Sequence, residues 1–302
     1  MYKVLFAILK LLSRLPLRVH YLLSDVLLYP LVFHVVRYRR RLVRRQLAEC
    51  FPEKSEQERR QIMRRFYHFL CDYIVETLKM QTMSHDELRR RVPFVGIEEL
   101  QATMEREGKQ FGFCYLGHYG NWEWMSSFPL WFTEPWQGAQ IYHPLRNRHI
   151  DHFFIDLRQQ FGGRCIPMKQ TLRQILTDRR EGRHEVIGFI ADQGPKWQAV
   201  QYWTDFLNHR TAFLTGAERI ARQVGAAVCY LHVTRPRRGY YRAEVKMITT
   251  NPDEMGEFEI TNRYIALIEQ QIREQPELWL WTHDRWKRSY ERWQELKQEG
   301  KI

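Results

Sequence analysis

The apolar positions of this chain fall into three regimes. Residues 4–12 (VLFAILKLL) and 19–36 (VHYLLSDVLLYPLVFHVV) are nearly continuous apolar runs. The second is 18 residues long, close to a membrane-spanning length, but His20, Asp25, Pro30 and His34 interrupt it. No small-residue cleavage site follows, so the pattern does not predict a removed leader. Residues 37–45 (RYRRRLVRR) come next, with six arginines in nine residues. Such a run stays on the cytoplasmic side, and a negatively charged leaflet attracts it by about 1 kcal/mol per basic residue. The pattern favours an apolar hairpin or in-plane anchor over a clean span. A buried helix pair followed by a solvated basic helix fits the same letters. We therefore expect residues 1–45 to form an anchor with a basic stretch, and residues 46–302 to form a separate folded domain.

From Ser55 the period becomes helical. Ser55 and Glu58 read as a capping box. The helix they open carries Ile62, Phe66, Phe69, Leu70, Tyr73, Ile74 and Leu78 on one side. A short helix follows at 84–88, a strand at 92–96 and a helix at 97–108. From residue 111 short apolar blocks alternate with amphipathic ones. Strands are predicted at 111–116, 138–145, 184–192, 226–235 and 240–248, with helices at 121–132, 148–162, 168–182, 214–225, 260–276 and 285–299. This order predicts an α/β fold with a mainly parallel central sheet flanked by helices.

Composition narrows the class of partner. Lys plus Arg total 47 against 35 Asp plus Glu, a formal charge of +12. That balance suits an anionic partner. The 10 Trp and 15 Tyr suit boundaries between oil and water. The five cysteines make no C-x-x-C pair, so they read as buried free thiols in a reducing compartment. No glycine-rich phosphate loop is present.

The candidate chemistry lies in YLGHYGNWEW, residues 115–124. His118 follows the apolar strand 111–116, on the edge of an open α/β sheet where ligands bind. Glu123 falls in the first turn of the expected next helix, where the dipole favours a carboxylate. A turn through Gly117 and Gly120 allows the two side chains to meet. A carboxylate on one ring nitrogen fixes the imidazole tautomer and frees the other nitrogen to accept a hydroxyl proton. A loop histidine and a helix-capping glutamate with no chemical role satisfy the same spacing.

Further blocks change that balance. GHYGNWEW resembles the first block of the bacterial lipid A biosynthesis acyltransferases, which share an H-x-x-x-x-D/E motif with other glycerolipid acyltransferases. YHPLRN (142–147), FGGRCIPMK (161–169), ADQGP (191–195), FLNHRTAFLTGAERIA (206–221) and PELWLWTHDRWK (276–287) resemble later blocks of that family in order. The likeness runs from residue 1 to about residue 295. It implies a glycerolipid-acyltransferase-like fold, needing neither metal nor cofactor. The implied reaction moves an acyl chain from a thioester on acyl carrier protein to a hydroxyl of a lipid A precursor. The implied place is the cytoplasmic face of the bacterial inner membrane, with an anionic membrane surface as a further partner. His118 would be the general base and Glu123 its orienting carboxylate. Arg146 or Arg164 would stabilise an oxyanion or bind phosphate, and Asn147, Asp192 and Gln193 would support them.

One departure is His143, where many members carry arginine. His209 and His283 lie in matching blocks and read as structural, and Trp279, Trp281 and Trp286 read as packing. The same chemistry on another membrane glycolipid or aminolipid is the nearest alternative. A metal-dependent hydrolase lacks an H-E-x-x-H or H-x-H spacing. A nucleic-acid binder lacks any such motif, and the basic runs adjoin apolar segments.

Overall fold

A computed structural model describes residues 2–302. The amino-terminal region is helical: α1 (Tyr2–Ser13), α2 (Leu17–Leu23), wider π-helical turns over Ser24–Leu28 and Pro30–Val35, and α3 (Arg40–Cys50). Arg37 and Arg39, both at φ 52, turn the chain between the last two. Among the described residues no single helix is long and apolar enough to cross a membrane, and the stretch Leu17–Val35 meets α3 at 82°. Leu11, Leu22, Val26, Val35 and Val36 are each at least 60% exposed. The opposite faces pack on α4 (Glu56–Met80), which opens with the expected Ser55–Glu58 capping box.

The remaining elements are α5 (His85–Arg91), β1 (Phe94–Val95), α6 (Ile97–Arg106), β2 (Phe111–Leu116), β3 (Trp136–Tyr142), α7 (Arg148–Gln159), β4 (Arg164–Pro167), α8 (Thr171–Arg180), β5 (His184–Ile190), β6 (Tyr202–Phe206), β7 (His209–Phe213), α9 (Gly216–Val224), β8 (Ala227–Arg237), β9 (Tyr240–Thr249), α10 (Glu259–Glu274) and α11 (Tyr290–Gln298). Seven strands form the central sheet in the order β1-β9-β8-β2-β5-β3-β4. The β8–β9 hairpin supplies the one antiparallel pairing in it, so the sheet is mainly parallel, as expected. Every residue of β2 is buried, which is why that strand reads as an unbroken apolar run.

Two local readings are corrected, and β4 and the β6–β7 hairpin are strands that the pattern does not predict. The helix expected over 121–132 is a 3-10 helix over Trp124–Trp131. Pro129 lies inside it, and the Ser126 and Ser127 hydroxyls donate to the carbonyls three residues back, at 2.6 and 2.7 Å. Both features oppose a regular α-helical ladder. The last helix begins at Tyr290 rather than 285, because Arg285 is drawn into the interior and Ser289 caps the helix. The β6–β7 hairpin was not anticipated; Leu207 and Asn208, at φ 49 and 65, form its two-residue turn.

The topology places the site. β2 and β5 are adjacent and parallel, yet from β2 the chain moves towards β3 and from β5 it moves towards β8. Oppositely departing connections open a crevice at the carboxyl ends of the two strands. The register pairs Leu116 with Ile190 as the last residues. Two residues further on, the strands deliver His118 and Asp192 side by side.

A buried carboxylate ties the amino-terminal helices to this edge. Glu76 of α4 is fully buried. It accepts from Tyr21 Oη (2.8 Å), Asn121 Nδ2 (2.9 Å) and Tyr241 Oη (2.8 Å). Asn121 Oδ1 in turn accepts the Trp124 amide at 3.1 Å, holding the turn that follows His118. Replacing Glu76 by alanine strands these donors. We expect the Glu76→Ala protein to lose about 3 kcal/mol or more of unfolding free energy in urea titration.

Candidate active site

His118 sits on the loop after β2 with its side chain 21% exposed. Its Nδ1 lies 2.7 Å from Asp192 Oδ1, and its backbone N–H donates to Asp192 Oδ2 at 3.0 Å. Trp279 Nε1–H donates to the same Oδ2 at 2.8 Å. The contact to a carboxylate places the imidazole proton on Nδ1 and leaves Nε2 as the basic nitrogen. The Gln193 amide stands 3.3 Å from that Nε2.

The loop carrying His118 is clamped from several directions. Its carbonyl accepts the Leu280 amide at 3.1 Å, and the Gly120 amide donates to Leu278 at 2.9 Å. Tyr119 Oη reaches the carbonyls of Gln271 and Gln275. Gly120 has φ +59, and a Cβ there would meet Val233 Cγ1 at 3.1 Å, so both backbone and space favour glycine.

Glu123 does not take the place expected for it. Asp192, and not Glu123, holds the His118 ring. Glu123 is buried and gripped by Arg158 in a two-bond fork, Nε to Oε2 and Nη2 to Oε1, each 2.8 Å. The Tyr73 hydroxyl stands 3.5 Å from Oε1. Trp122 packs edge-on against His118 at 5.3 Å and stacks on Tyr73 at 4.1 Å, linking the two carboxylate centres. The residues between 118 and 123 form a turn with its own backbone bonds, so Glu123 points towards α7. Burial opposes the charge on Arg158, but the hydrogen bonds and charge of Glu123 outweigh it and raise the guanidinium pKa.

The other expected residues are dispersed. Arg164 lies at the start of β4, bonded to Asp178 and Glu185 at 2.6 Å each. Glu185 pairs in register with Phe111 at the beginning of β2, so Arg164 belongs to the opposite edge of the sheet from His118. It is a structural ion-pair centre. Arg146 is exposed on the loop between β3 and α7, at the same edge as His118. Asn147 caps α7, accepting from the His149 and Ile150 amides, and donates to Tyr2 Oη at 2.8 Å. His143 is exposed, and His209 stacks on Trp286. Among the described residues no three His, Cys, Asp or Glu side chains converge to hold a metal ion.

Sequence reasoning missed Arg158, Tyr73's approach to Glu123, and the second role of Trp279. Arg158 carried a signal: it stands four residues after Phe154 and next to Leu157, a cation on the apolar stripe of α7. It also missed Arg285, whose buried guanidinium donates to the Ala212 carbonyl at 2.6 Å and lies over the Phe213 ring. Burial pushes Arg285 down to about 10, against the pull of Asp192.

Residues 3–288 match the family described as bacterial lipid A biosynthesis acyltransferase, and the chain belongs to that family. Its members are acyltransferases. The chain is 23% identical over 195 residues to a lipid A biosynthesis acyltransferase of Haemophilus influenzae, covering 65% of this chain and 59% of that protein. It is 26% identical over 163 residues to lipid A biosynthesis acyltransferase 2 of Shigella flexneri, covering 53% and 50%. A lipid A biosynthesis lauroyltransferase of Escherichia coli is 25% identical over 266 residues, covering 85% and 82%. The chain thus spans between half and three-fifths of the length of the first two relatives.

Burial pushes the Asp192 carboxyl up. The charge and hydrogen bond of His118, with the Trp279 bond, outweigh burial and hold it at about 2. This lies below the unfolded value of about 3.9. The stabilisation is therefore complete above that value and is lost as pH falls through the folded one. We expect the parent to lose about 2 kcal/mol more unfolding free energy than Asp192→Asn between pH 5 and pH 2, read by urea titration.

Proposed function

We propose that this protein transfers a fatty acyl chain from a thioester on acyl carrier protein to a hydroxyl of a lipid A precursor, a secondary acylation in lipopolysaccharide biosynthesis. The observation that carries the reading is the His118–Asp192 pair at the crevice between β2 and β5, with Nε2 facing away from the carboxylate. The acceptor hydroxyl gives its proton to Nε2 as its oxygen attacks the thioester carbonyl. Asp192 steadies the imidazolium that forms. The tetrahedral intermediate then collapses, the carbon–sulfur bond breaks, and the leaving thiolate takes the proton back from His118. An ester and a free thiol result.

Glu123 serves this site by holding Arg158. Two N–H groups of the guanidinium are committed to Glu123, whereas its Nη1 has no partner among the described residues. That free end suits the developing oxyanion, the part given in the sequence reading to Arg146 or Arg164. Asn147 acts through the start of α7, and Gln193 occupies the position beside Nε2 that a substrate hydroxyl would enter.

The amino-terminal region suits attachment to the cytoplasmic face of the bacterial inner membrane. Its exposed apolar side chains lie on α1, α2 and the π-helical turns, and the arginine-rich turn follows directly. A bent, in-plane seating matches the 82° break. In flotation with vesicles containing about one-third anionic lipid, the parent is expected to rise with the lipid. Leu22→Glu/Val26→Glu is expected to stay at the bottom.

The deciding experiment combines mass spectrometry of lipid A from cells with and without the gene with an assay of the purified enzyme. Loss of one secondary acyl chain is expected in the deletion, restored by the parent gene and not by His118→Ala. In the assay His118→Ala should fold normally and show no measurable transfer, and Asp192→Asn should fall by about 10³- to 10⁴-fold in kcat. Transfer at the parent rate in His118→Ala rejects the proposed base.

A further inference from the structure

Between α3 and the segment after Trp281 lies a basin of about 590 Å³, walled by Arg39, Arg41, Arg45, His283, Asp284 and Lys287. Four cations face one carboxylate there. Arg45 takes that carboxylate, with Nη2 3.2 Å from Asp284 Oδ1. Arg39 gives one N–H to the Thr282 carbonyl at 2.8 Å, and its φ of 52 is uncommon for a side-chain-bearing residue. Arg41 and Lys287 are exposed and have no ion-pair partner among the described residues. His283 Nε2 is buried without a hydrogen-bond partner. Burial pushes this imidazole down to about 4, so at neutral pH it adds no charge to the basin.

Unpaired cations converging on a concavity from two distant segments need an anion. Arginine forks and a lysine suit the tetrahedral oxygens of phosphate. The basin also lies close to the reacting centre. The Leu280 amide bonds the His118 carbonyl, and the His283 amide turns back onto the Leu280 carbonyl at 3.0 Å. Three residues of chain span at most about 11 Å. The basin wall contributed by α3 follows directly on the apolar amino-terminal run, at the level of lipid headgroups if that run lies in a leaflet.

We propose that the basin is a phosphate subsite, which receives a phosphate ester of one substrate while His118 works on the other end of the complex; the assignment rests on the acyl-transfer reading above. The phosphate belongs either to the headgroup of the lipid acceptor or to the prosthetic arm of the carrier protein. The two sources present the same chemistry and are separable by experiment.

The test uses full-length protein in neutral detergent micelles, so that no anionic bilayer contributes. The parent, Arg41→Ala/Lys287→Ala and Arg106→Ala are titrated calorimetrically with inorganic pyrophosphate. Arg106 is exposed on α6 outside the basin, and its removal controls for loss of a positive charge elsewhere on the surface. Acyl-transfer kinetics are measured with native and phosphatase-treated acceptor, each with carrier-bound donor and with a simple acyl thioester that lacks phosphate.

The double variant is expected to bind pyrophosphate about tenfold more weakly or worse, and to raise the KM of the phosphate-bearing substrate by a similar factor with kcat within about twofold. A KM rise that disappears with dephosphorylated acceptor assigns the headgroup. A rise that disappears with the simple thioester assigns the prosthetic arm. Either upholds the subsite. Unchanged KM for both substrates overturns it, as does an equal loss in Arg106→Ala. If no form of the enzyme transfers acyl groups, the functional reading fails by itself, and the pyrophosphate titration still decides whether the basin binds phosphate.

Discussion

The His118 edge of the sheet depends on a carboxylate taken out of water at the end of β5. Asp192 is only 2% exposed, and a lone charge so placed is costly. It is tolerated because three N–H groups reach it: the ring and the backbone of His118, and the indole of Trp279. These donors come from β2's loop and from the segment after α10. The same charge therefore holds the imidazole in one tautomer and locks the carboxyl-terminal segment across the His118 loop. The parallel register of β2 and β5 comes first, since only it places residues 118 and 192 abreast.

A second buried carboxylate has a different task. Glu123 has a side chain long enough to leave the loop and meet Arg158 of α7 in a fork that fixes both side chains. α7 is capped by Asn147, which also bonds Tyr2 of α1. Phe6 of α1 stacks on Phe153 of α7 at 5.2 Å. The helix that aims Arg158 is thus braced from the amino-terminal side, so charge placement at the site is coupled to seating of the apolar helices. The arrangement separates orientation of the His118 ring, by Asp192, from positioning of a cation, by Glu123.

How much of this was legible follows from what sequence pattern encodes. The buried strands β2 and β5 stand out as apolar runs, and the parallel sheet follows from their alternation with amphipathic stretches. His118 and Asp192 could be placed at the same edge because both end such runs. Their direct pairing was not legible, because it depends on strand order and register, which are properties of the assembled sheet. Glu123 was assigned to His118 because it is close in sequence; the true partners lie 74 and 35 residues away from the groups they bind. Arg164 misled for a related reason. Its block has the right composition, but the strand it begins carries it to the far edge, where two acids neutralise it. The 3-10 turn and the β6–β7 hairpin were missed because serine back-bonding and a two-residue turn leave little trace in periodicity.

The hub at Glu76 has a practical consequence for handling the molecule. Tyr21 belongs to the apolar leading segment, Asn121 to the loop beside the His118 imidazole, and both lean on one carboxylate. Trimming the greasy leader to gain solubility would withdraw a hydroxyl from that carboxylate and loosen its grip on the loop. A detergent that prises the first helices from α4 would do the same without cutting the chain. Behaviour during purification is therefore governed by how gently the leader is kept in its seat, and not only by how well its oily face is covered.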